Sequence, residues 1–143
     1  MLSTSDGGRH WQKQDSGFRK WLGDIHFVNT MHGWAVGDEG VILSTEDGGK
    51  SWIRQRSPTT EKLGDVYFTN EAQGWAVGDK GVILYTSDGG QRWKHQRRDS
   101  SVSDLYSVFF LDEEFGSAVG TGGTILYTTD GGQHWLTPKA VGM

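Results

Sequence analysis

The sequence predicts an all-β protein built from repeated four-stranded units, and three observations carry this prediction. A Thr-x-Asp-Gly-Gly-x-x-Trp motif occurs four times, and its aspartates are 41, 41 and 42 residues apart. Short runs of alternating apolar residues lie between the motifs, and no segment shows sustained helical periodicity. Glycine is abundant (22 residues) and proline scarce (2 residues), which suits tight turns that need positive φ.

Each period divides into four predicted strands, called A to D. Strand A is a short alternating run, strand B begins at a glycine, and an Asp-x-Gly or Thr-Gly-Gly turn leads from B into C. The Asp-Gly-Gly turn then leads into strand D, which starts near the motif tryptophan. Strand A is predicted at 22–27, 63–68 and 105–110, strand B at 33–37, 74–78 and 116–120, and strand C at 41–45, 82–86 and 124–128.

Four antiparallel strands repeated at this period are typical of the blades of a β-propeller. The chain reads as strands C and D followed by three full units, which makes 14 predicted strands. These form a half blade at 1–21 and blades at 22–62, 63–104 and 105–143. Because about 3.5 blades are too few to close most rings, the blade faces at the two ends would be exposed. We expect oligomerisation to complete the ring, as a homodimer.

The four motifs are predicted to be structural turns. The aspartate can accept hydrogen bonds from backbone amides of its own turn, the glycines permit positive φ, and the tryptophan can cover the hairpin. A calcium-binding EF-hand loop needs further oxygen ligands and a terminal glutamate, which no copy supplies. The residues assigned to this structural role are Asp6, Gly8, Trp11, Asp47, Gly49, Trp52, Asp88, Gly90, Trp93, Asp130, Gly132 and Trp135.

This motif resembles the Asp-box, or BNR repeat. The longer unit from the strand B glycine to the motif tryptophan, at 33–52 and 74–93, is similar to the photosystem II stability and assembly factor family. The resemblance covers essentially the whole chain. It implies a propeller of about seven blades, with Asp-boxes on the blade periphery, that acts as a non-catalytic assembly chaperone. It also implies export to a periplasm or thylakoid lumen. The third full repeat departs from the pattern at Ser107 and Ser117.

Composition narrows the classes of partner and chemistry. The net charge of −4 gives no general attraction to nucleic acid, and the absence of cysteine excludes thiol chemistry. No apolar run approaches the length of a membrane span, and no basic-then-apolar leader is present. The chain opens inside a repeat, as a fragment or a truncated gene would. The five histidines show no ligand spacing, so we expect no metal, cofactor, nucleic acid or membrane insertion.

An enzyme of the glycoside hydrolase class is the alternative, because Asp-boxes also occur in sialidases. Such enzymes generally use two carboxyl groups that flank the scissile bond. The Phe-Arg-Ile-Pro segment typical of sialidases is absent. Asp24 and Asp65 occupy equivalent positions in strand A, which favours a repeated structural role, such as pinning the incoming connector. We therefore expect a non-catalytic interaction or assembly scaffold. A hydrolase remnant, or a self-assembling fragment without a ligand, stays open.

Basic residues mark a candidate docking face. Nine of the 14 Lys and Arg lie in D strands and in the connectors between blades. Charges on strand D protect an exposed sheet edge against pairing. The connectors should emerge together on one face of the propeller, and arginine is enriched at interfaces. We predict that this face binds an acidic protein or peptide through Arg19, Lys20, Trp21, Arg97 and Arg98.

Overall fold

The structure is a computed structural model that describes residues 1–13, 15–97 and 103–138. These ranges contain thirteen short strands and three single-turn 3₁₀ helices. The strands are β1 (Leu2–Ser3), β2 (Gln12–Lys13), β3 (Leu22–Phe27), β4 (Gly33–Gly37), β5 (Ile42–Thr45), β6 (Ile53–Gln55), β7 (Leu63–Phe68), β8 (Gly74–Gly78), β9 (Ile83–Thr86), β10 (Lys94–Arg97), β11 (Leu105–Phe110), β12 (Gly116–Gly120) and β13 (Ile125–Thr128). The 3₁₀ turns are Asp38–Gly40, Asp79–Gly81 and Thr121–Gly123.

The strands form four antiparallel sheets in the order of the chain. Strands β1 and β2 pair alone, β3 to β6 and β7 to β10 form two four-stranded sheets, and β11 to β13 form a three-stranded sheet. The inner strands pair with their neighbours in one register, so that Phe27, Phe68 and Phe110 each lie opposite the first glycine of the next strand. The predicted all-β arc of about 3.5 propeller blades is confirmed.

The outer strand of the last blade is shorter than predicted. Instead of a fourteenth strand, the described residues contain one antiparallel bridge between Tyr127 and Leu136. Its two backbone hydrogen bonds are 2.9 and 2.8 Å long. Pro138 stands where Gln55 and Gln96 continue β6 and β10, and proline has no N–H to donate to a ladder. The strand is therefore interrupted after one bridge.

The apolar core lies between the sheets. Strands β4 and β5 pack against β7 and β8 in one cluster, and β8 and β9 pack against β11 to β13 in a second. The centre of each interface is a stacked aromatic pair, with ring centroids 3.5 Å apart for Trp34 and Phe68 and 3.6 Å apart for Trp75 and Phe110. The blades are thus held by repeated face-to-face burial.

The turns between the second and third strands of each blade need left-handed backbone. Glu39 and Lys80 have φ of 58° and 59°, and the following Gly40 and Gly81 both have φ of 72°. Two consecutive residues with positive φ match the twist of an antiparallel hairpin. These turns place the start of the third strand beside the second, as the Asp-x-Gly pattern predicts.

The first and the last full blade both expose apolar side chains. Ile25 and Phe27 are exposed on the first full blade, and Phe109, Ile125 and Tyr127 are exposed on the last. None of the helical turns in the described part of the chain is long and apolar enough to cross a membrane.

Candidate functional site

Each Asp-box forms the same set of short-range hydrogen bonds. In the third box the Thr86 hydroxyl donates to Asp88 Oδ1 (2.8 Å) and accepts from the Gly90 N–H (2.9 Å). Asp88 Oδ1 also accepts from the N–H of Arg92 (2.9 Å). Equivalent bonds occur in the other three boxes. The carboxylate is therefore occupied by its own turn.

Hydrogen bonds hold the box carboxylates in the ionised form. The hydroxyl of Ser51 donates to Asp47, and this bond is the largest cause that lowers the pKa of Asp47 to about 2. The His134 side chain has the same effect on Asp130, whose pKa is lowered to about 2. An ionised carboxylate that accepts several backbone bonds is suited to fixing a turn.

Replacing Asp88 with alanine should destabilise the chain by about 1–3 kcal/mol. The buried Thr86 hydroxyl would lose its acceptor, and the Arg92 N–H would lose its partner. Asp6→Ala is the matched control, because its box lies in the two-stranded half blade, where Thr4 is only half-buried. Urea unfolding at pH 7 measures both variants, and an equal loss of stability in the two would contradict this account.

An interblade lock joins the Asp-box of one blade to the blade before it. Trp93 Nε1 donates to Gln55 Oε1 (3.0 Å), and Gln55 Nε2 donates to the carbonyl oxygen of Gly89 (3.0 Å). Trp34 Nε1 donates to the same carbonyl (2.9 Å). Trp75, Gln96, Gly131 and Trp135 form the second lock in the same way.

Sequence reasoning missed the glutamines of the lock. Trp52 donates to its own turn, at the carbonyl of Gly49 (3.1 Å), whereas Trp93 and Trp135 donate to glutamines of the preceding blade. The signal was present as a Trp-x-x-Gln spacing at 11–14, 52–55 and 93–96. Within a single repeat this glutamine looks like any other strand residue. Its hydrogen-bond partners lie on the next blade, so the sequence of one repeat does not reveal them.

The inner strands carry a second interblade contact. Asp24 Oδ2 accepts from the Val66 N–H (3.2 Å), and Asp65 Oδ2 accepts from the Val108 N–H (2.8 Å). The repeated contact agrees with the predicted structural role, but each carboxylate reaches the next inner strand and not the incoming connector. A register shift between the first and third residues of β3 and β7 accounts for this, because a bulge redirects the side chain.

The carboxyl group of Asp65 has an unusual protonation equilibrium. Burial, together with a hydrogen bond to Asp24, raises the pKa of Asp65 to about 7. Protonated Asp65 can donate to Asp24 while it accepts from the Val108 N–H. Beside them, His26 Nδ1 accepts from the Phe68 N–H (3.0 Å), and burial lowers the pKa of His26.

Replacing Asp65 with asparagine should change the pH dependence of stability. Because the folded-state pKa of Asp65 is raised, the folded chain keeps a proton that the unfolded chain has released between about pH 4 and pH 7. Stability from this group is therefore lost as the pH rises through this window. The introduced amide keeps a donor at every pH, so the advantage of the variant over the natural chain should be larger at pH 8 than at pH 5 by about 1 kcal/mol.

The difference in unfolding free energy between variant and natural chain, measured in urea at pH 5 and pH 8, isolates this group from the other titrating side chains. The exposed Glu46→Gln variant makes the same acid-to-amide change and serves as the control. A pH-independent difference for Asp65→Asn would contradict the raised pKa of Asp65.

The predicted basic residues lie on a connector surface of mixed charge. Lys20 pairs with Glu39 across the first 3₁₀ turn. The Trp21 N–H donates to Asp38 Oδ2 (3.3 Å), and Lys62 Nζ lies 4.2 Å from the centroid of a Trp21 ring. The structure thus brings Lys20 and Trp21 together beside the 3₁₀ turn.

The other predicted residues are more dispersed. Arg19 is exposed on the same connector, Arg97 is half-buried at the end of β10, and Arg98 lies outside the described residues. Acidic groups lie among the basic ones, and one of them, Glu61, pairs with Lys80 (3.3 Å). Within the described ranges, no three His, Asp or Glu side chains converge as ligands of a metal ion.

Repeated four-stranded sheets with an Asp-box at each outer turn define a BNR-type β-propeller arc. The chain belongs to the family described as photosynthesis system II assembly factor YCF48, which matches residues 3–62 and 52–138. No curated protein matches the chain in sequence.

Two solved structures of YCF48 are similar to the chain. A YCF48 bound to D1 peptide is 28% identical with a TM-score of 0.73, and YCF48 from Cyanidioschyzon merolae is 28% identical with a TM-score of 0.69. Both matches cover 81% of this chain but 39% of the YCF48 chain. An ancestral GH74 enzyme has a TM-score of 0.79 over 97% of this chain and 21% of its own, but at 14% identity it shows only the fold.

Proposed function

We propose that this chain is a non-catalytic propeller scaffold that binds an acidic segment of a partner protein. Two findings support the proposal together: the chain belongs to this family, and the similar YCF48 structure is bound to a peptide. Because this chain spans about two fifths of that protein's length, its own partner has to be established separately.

The connector surface offers a suitable anchor for such a segment. Trp21 is 49% exposed, yet its backbone is fixed by the bond to Asp38 and by the Asp38 N–H, which donates to the Trp21 carbonyl (2.9 Å). Tryptophan and arginine are the residues most enriched at energetic hot spots of interfaces. Exposed Arg19 beside a pre-ordered Trp21 suits a segment that carries carboxylates.

The carboxylates of the chain support a non-catalytic role. Those of the Asp-boxes accept bonds from their own turns, and those of Asp24 and Asp65 accept from backbone N–H groups of the next inner strand. The glycoside hydrolase alternative gains only a likeness of fold from the GH74 enzyme.

We also propose that the arc associates with a second copy to complete its ring. The last blade has an apolar groove of about 350 Å³, lined in part by Phe109, Leu111, Phe115 and Tyr127. At the other end, Leu2 and Trp11 of the half blade are exposed. Burial of such faces drives association, and a head-to-tail contact repeats the stacking of blades within the chain.

The binding proposal is tested with a fluorescein-labelled acidic peptide and charge-reversed variants. Arg19→Glu with Lys20→Glu should weaken binding at least about tenfold, as measured by fluorescence anisotropy at low salt. The matched control is Lys50→Glu with Arg92→Glu, which makes the same charge change at exposed positions of the Asp-boxes and should leave affinity within about twofold. Equal losses of affinity in the two variants would show that the effect comes from net charge alone. No loss of affinity in either variant would reject this surface as the binding site.

A further inference from the structure

The strands β3 and β7 begin alike, after connector residues that differ. Leu-Gly-Asp follows Trp21 at the start of β3 and Lys62 at the start of β7. The carbonyl oxygens of Trp21 and Lys62 accept from the N–H groups of Asp38 and Asp79, both at 2.9 Å. Because the backbone is held in the same way in these two repeats, they show directly what the exchange of tryptophan for lysine changes.

In the first of these repeats the indole of Trp21 lies against Gly23. A Cβ built on Gly23 would be 2.5 Å from the ring, which is closer than real Cβ contacts. The same Cβ would be 3.1 Å from the carbonyl oxygen of Gly64. The glycine therefore leaves room for an indole at the junction of β3 and β7.

In the second of these repeats no indole is present at this place. The three atoms nearest to a Cβ built on Gly64 are backbone atoms of Leu105 and Tyr106, at 3.4 Å or more. The carbonyl oxygen of Tyr106 would be 3.8 Å from this Cβ, so the junction of β7 with β11 is wider than that of β3 with β7. Lys62 places its Nζ over the Trp21 ring, 4.2 Å from the centroid. Among the described residues, no side chain thus lies as close to Gly64 as the indole does to the equivalent glycine.

The fold of β7 does not require a glycine at position 64. A Cβ on Gly64 would make ordinary contacts, and Gly64 is not among the glycines with positive φ. Glycine weakens the interior of a strand, because it has no side chain to pack and loses more entropy on folding. Gly64 is half-buried, so the space that its missing side chain leaves is reached from solvent at the edge of the connector surface.

We propose that the space over Gly64 receives a tryptophan side chain of the partner segment. This inference rests on the proposed binding of an acidic segment, and it names the residue that anchors that segment. The fit is supported by the preceding repeat, in which an indole lies on the equivalent Gly23 beside the same backbone. Tryptophan is among the side chains most enriched at the energetic hot spots of interfaces.

The charges beside Gly64 orient an acidic segment. The exposed Lys62 can pair through its Nζ with a carboxylate next to the inserted tryptophan, while its aliphatic stem packs on the ring. On the other side, Asp104 Oδ1 accepts from the Lys80 N–H (2.9 Å), and its negative charge repels the carboxylates of the segment. The acidic residues of the segment should therefore lie on the side of Lys62.

Two fluorescein-labelled peptides test the site on the natural chain: Glu-Asp-Glu-Trp-Glu-Asp-Glu and its counterpart with alanine in place of tryptophan. Fluorescence anisotropy should show that the tryptophan peptide binds at least about tenfold more tightly. Equal binding of the two peptides would overturn this inference while leaving the proposed binding of acidic segments intact. Binding of neither peptide would reject the proposed function, and this inference with it.

The Gly64→Ala variant locates the tryptophan. Its methyl group would occupy the place of the indole, so the preference for the tryptophan peptide should be lost while the affinity for the alanine peptide stays within about twofold. Ser87→Thr is the matched control, because it adds one methyl group at an exposed position of an Asp-box where the last box already has Thr129. This control should keep the preference, and both variants should melt close to the natural chain.

A preference for the tryptophan peptide that survives in Gly64→Ala would overturn the site. The solution mass of Gly64→Ala should equal that of the natural chain. A lower mass would show that a second copy of the chain fills the space over Gly64, and it would equally overturn the proposal.

Discussion

Replacing Trp75 with serine is expected to lower the free energy of unfolding by about 3–5 kcal/mol. Trp75 is fully buried, stacks on Phe110 and donates to the carbonyl oxygen of Gly131 (3.1 Å). Serine would leave a large cavity in the interface between the second and third full blades, and it would leave one backbone carbonyl without its donor. Chemical unfolding followed by circular dichroism measures the loss.

Trp21→Ser is the matched control for this substitution. It makes the same chemical change at a half-exposed position of a connector, where Lys62 lies over the ring. Its cost should be about 1 kcal/mol or less. If the two variants were equally stable, the stacked tryptophan would not be what holds the blades together.

Replacing Gly78 with alanine is the second largest expected effect, at about 3 kcal/mol. A Cβ at this position would overlap the carbonyl oxygen of Lys62. That carbonyl accepts from the Asp79 N–H (2.9 Å), so the connector cannot move away without breaking the bond. The close approach of the two backbones thus requires glycine at the end of β8.

Gly64→Ala on β7 is the control for the backbone clash. A Cβ there would make only ordinary contacts with Tyr106 and Leu105, at 3.4 Å or more. The substitution should change the free energy of unfolding by no more than about 0.5 kcal/mol. Thermal melts of the two variants compare the positions directly, and a larger loss at Gly64 than at Gly78 would contradict the packing described for the connector.

The regular part of the fold was predictable from the sequence because short turn motifs next to each strand indicate where the strand begins or ends. The Asp-Gly-Gly turn before Trp52 and the Asp-x-Gly turn before Val41 fix where strands end, and each blade repeats them. The outer strand of the last blade is shorter than the sequence predicts, because Pro138 occupies a position at which a continuing strand needs an N–H. The effect of this proline depends on the strand that would pair with it, and the number of repeats does not identify that strand.

The contacts between blades were much less predictable. Gln55 and Asp65 find their partners on the following blade, at sequence separations of 34 and 43 residues. The bulge at Asp65 redirects the side chain of this residue. A local sequence pattern therefore does not show which face of the strand meets the neighbouring sheet. The binding role of Arg19, Lys20, Trp21, Arg97 and Arg98 stays a prediction.

The solution mass tests the central proposal that an incomplete arc functions by closing its ring with a second copy. Light scattering at micromolar concentration should give twice the chain mass of 15.8 kDa, and dilution should shift the mass toward the single chain. The dimer should survive high salt because its contacts are apolar. A mass of 15.8 kDa at every concentration would contradict ring closure by self-association.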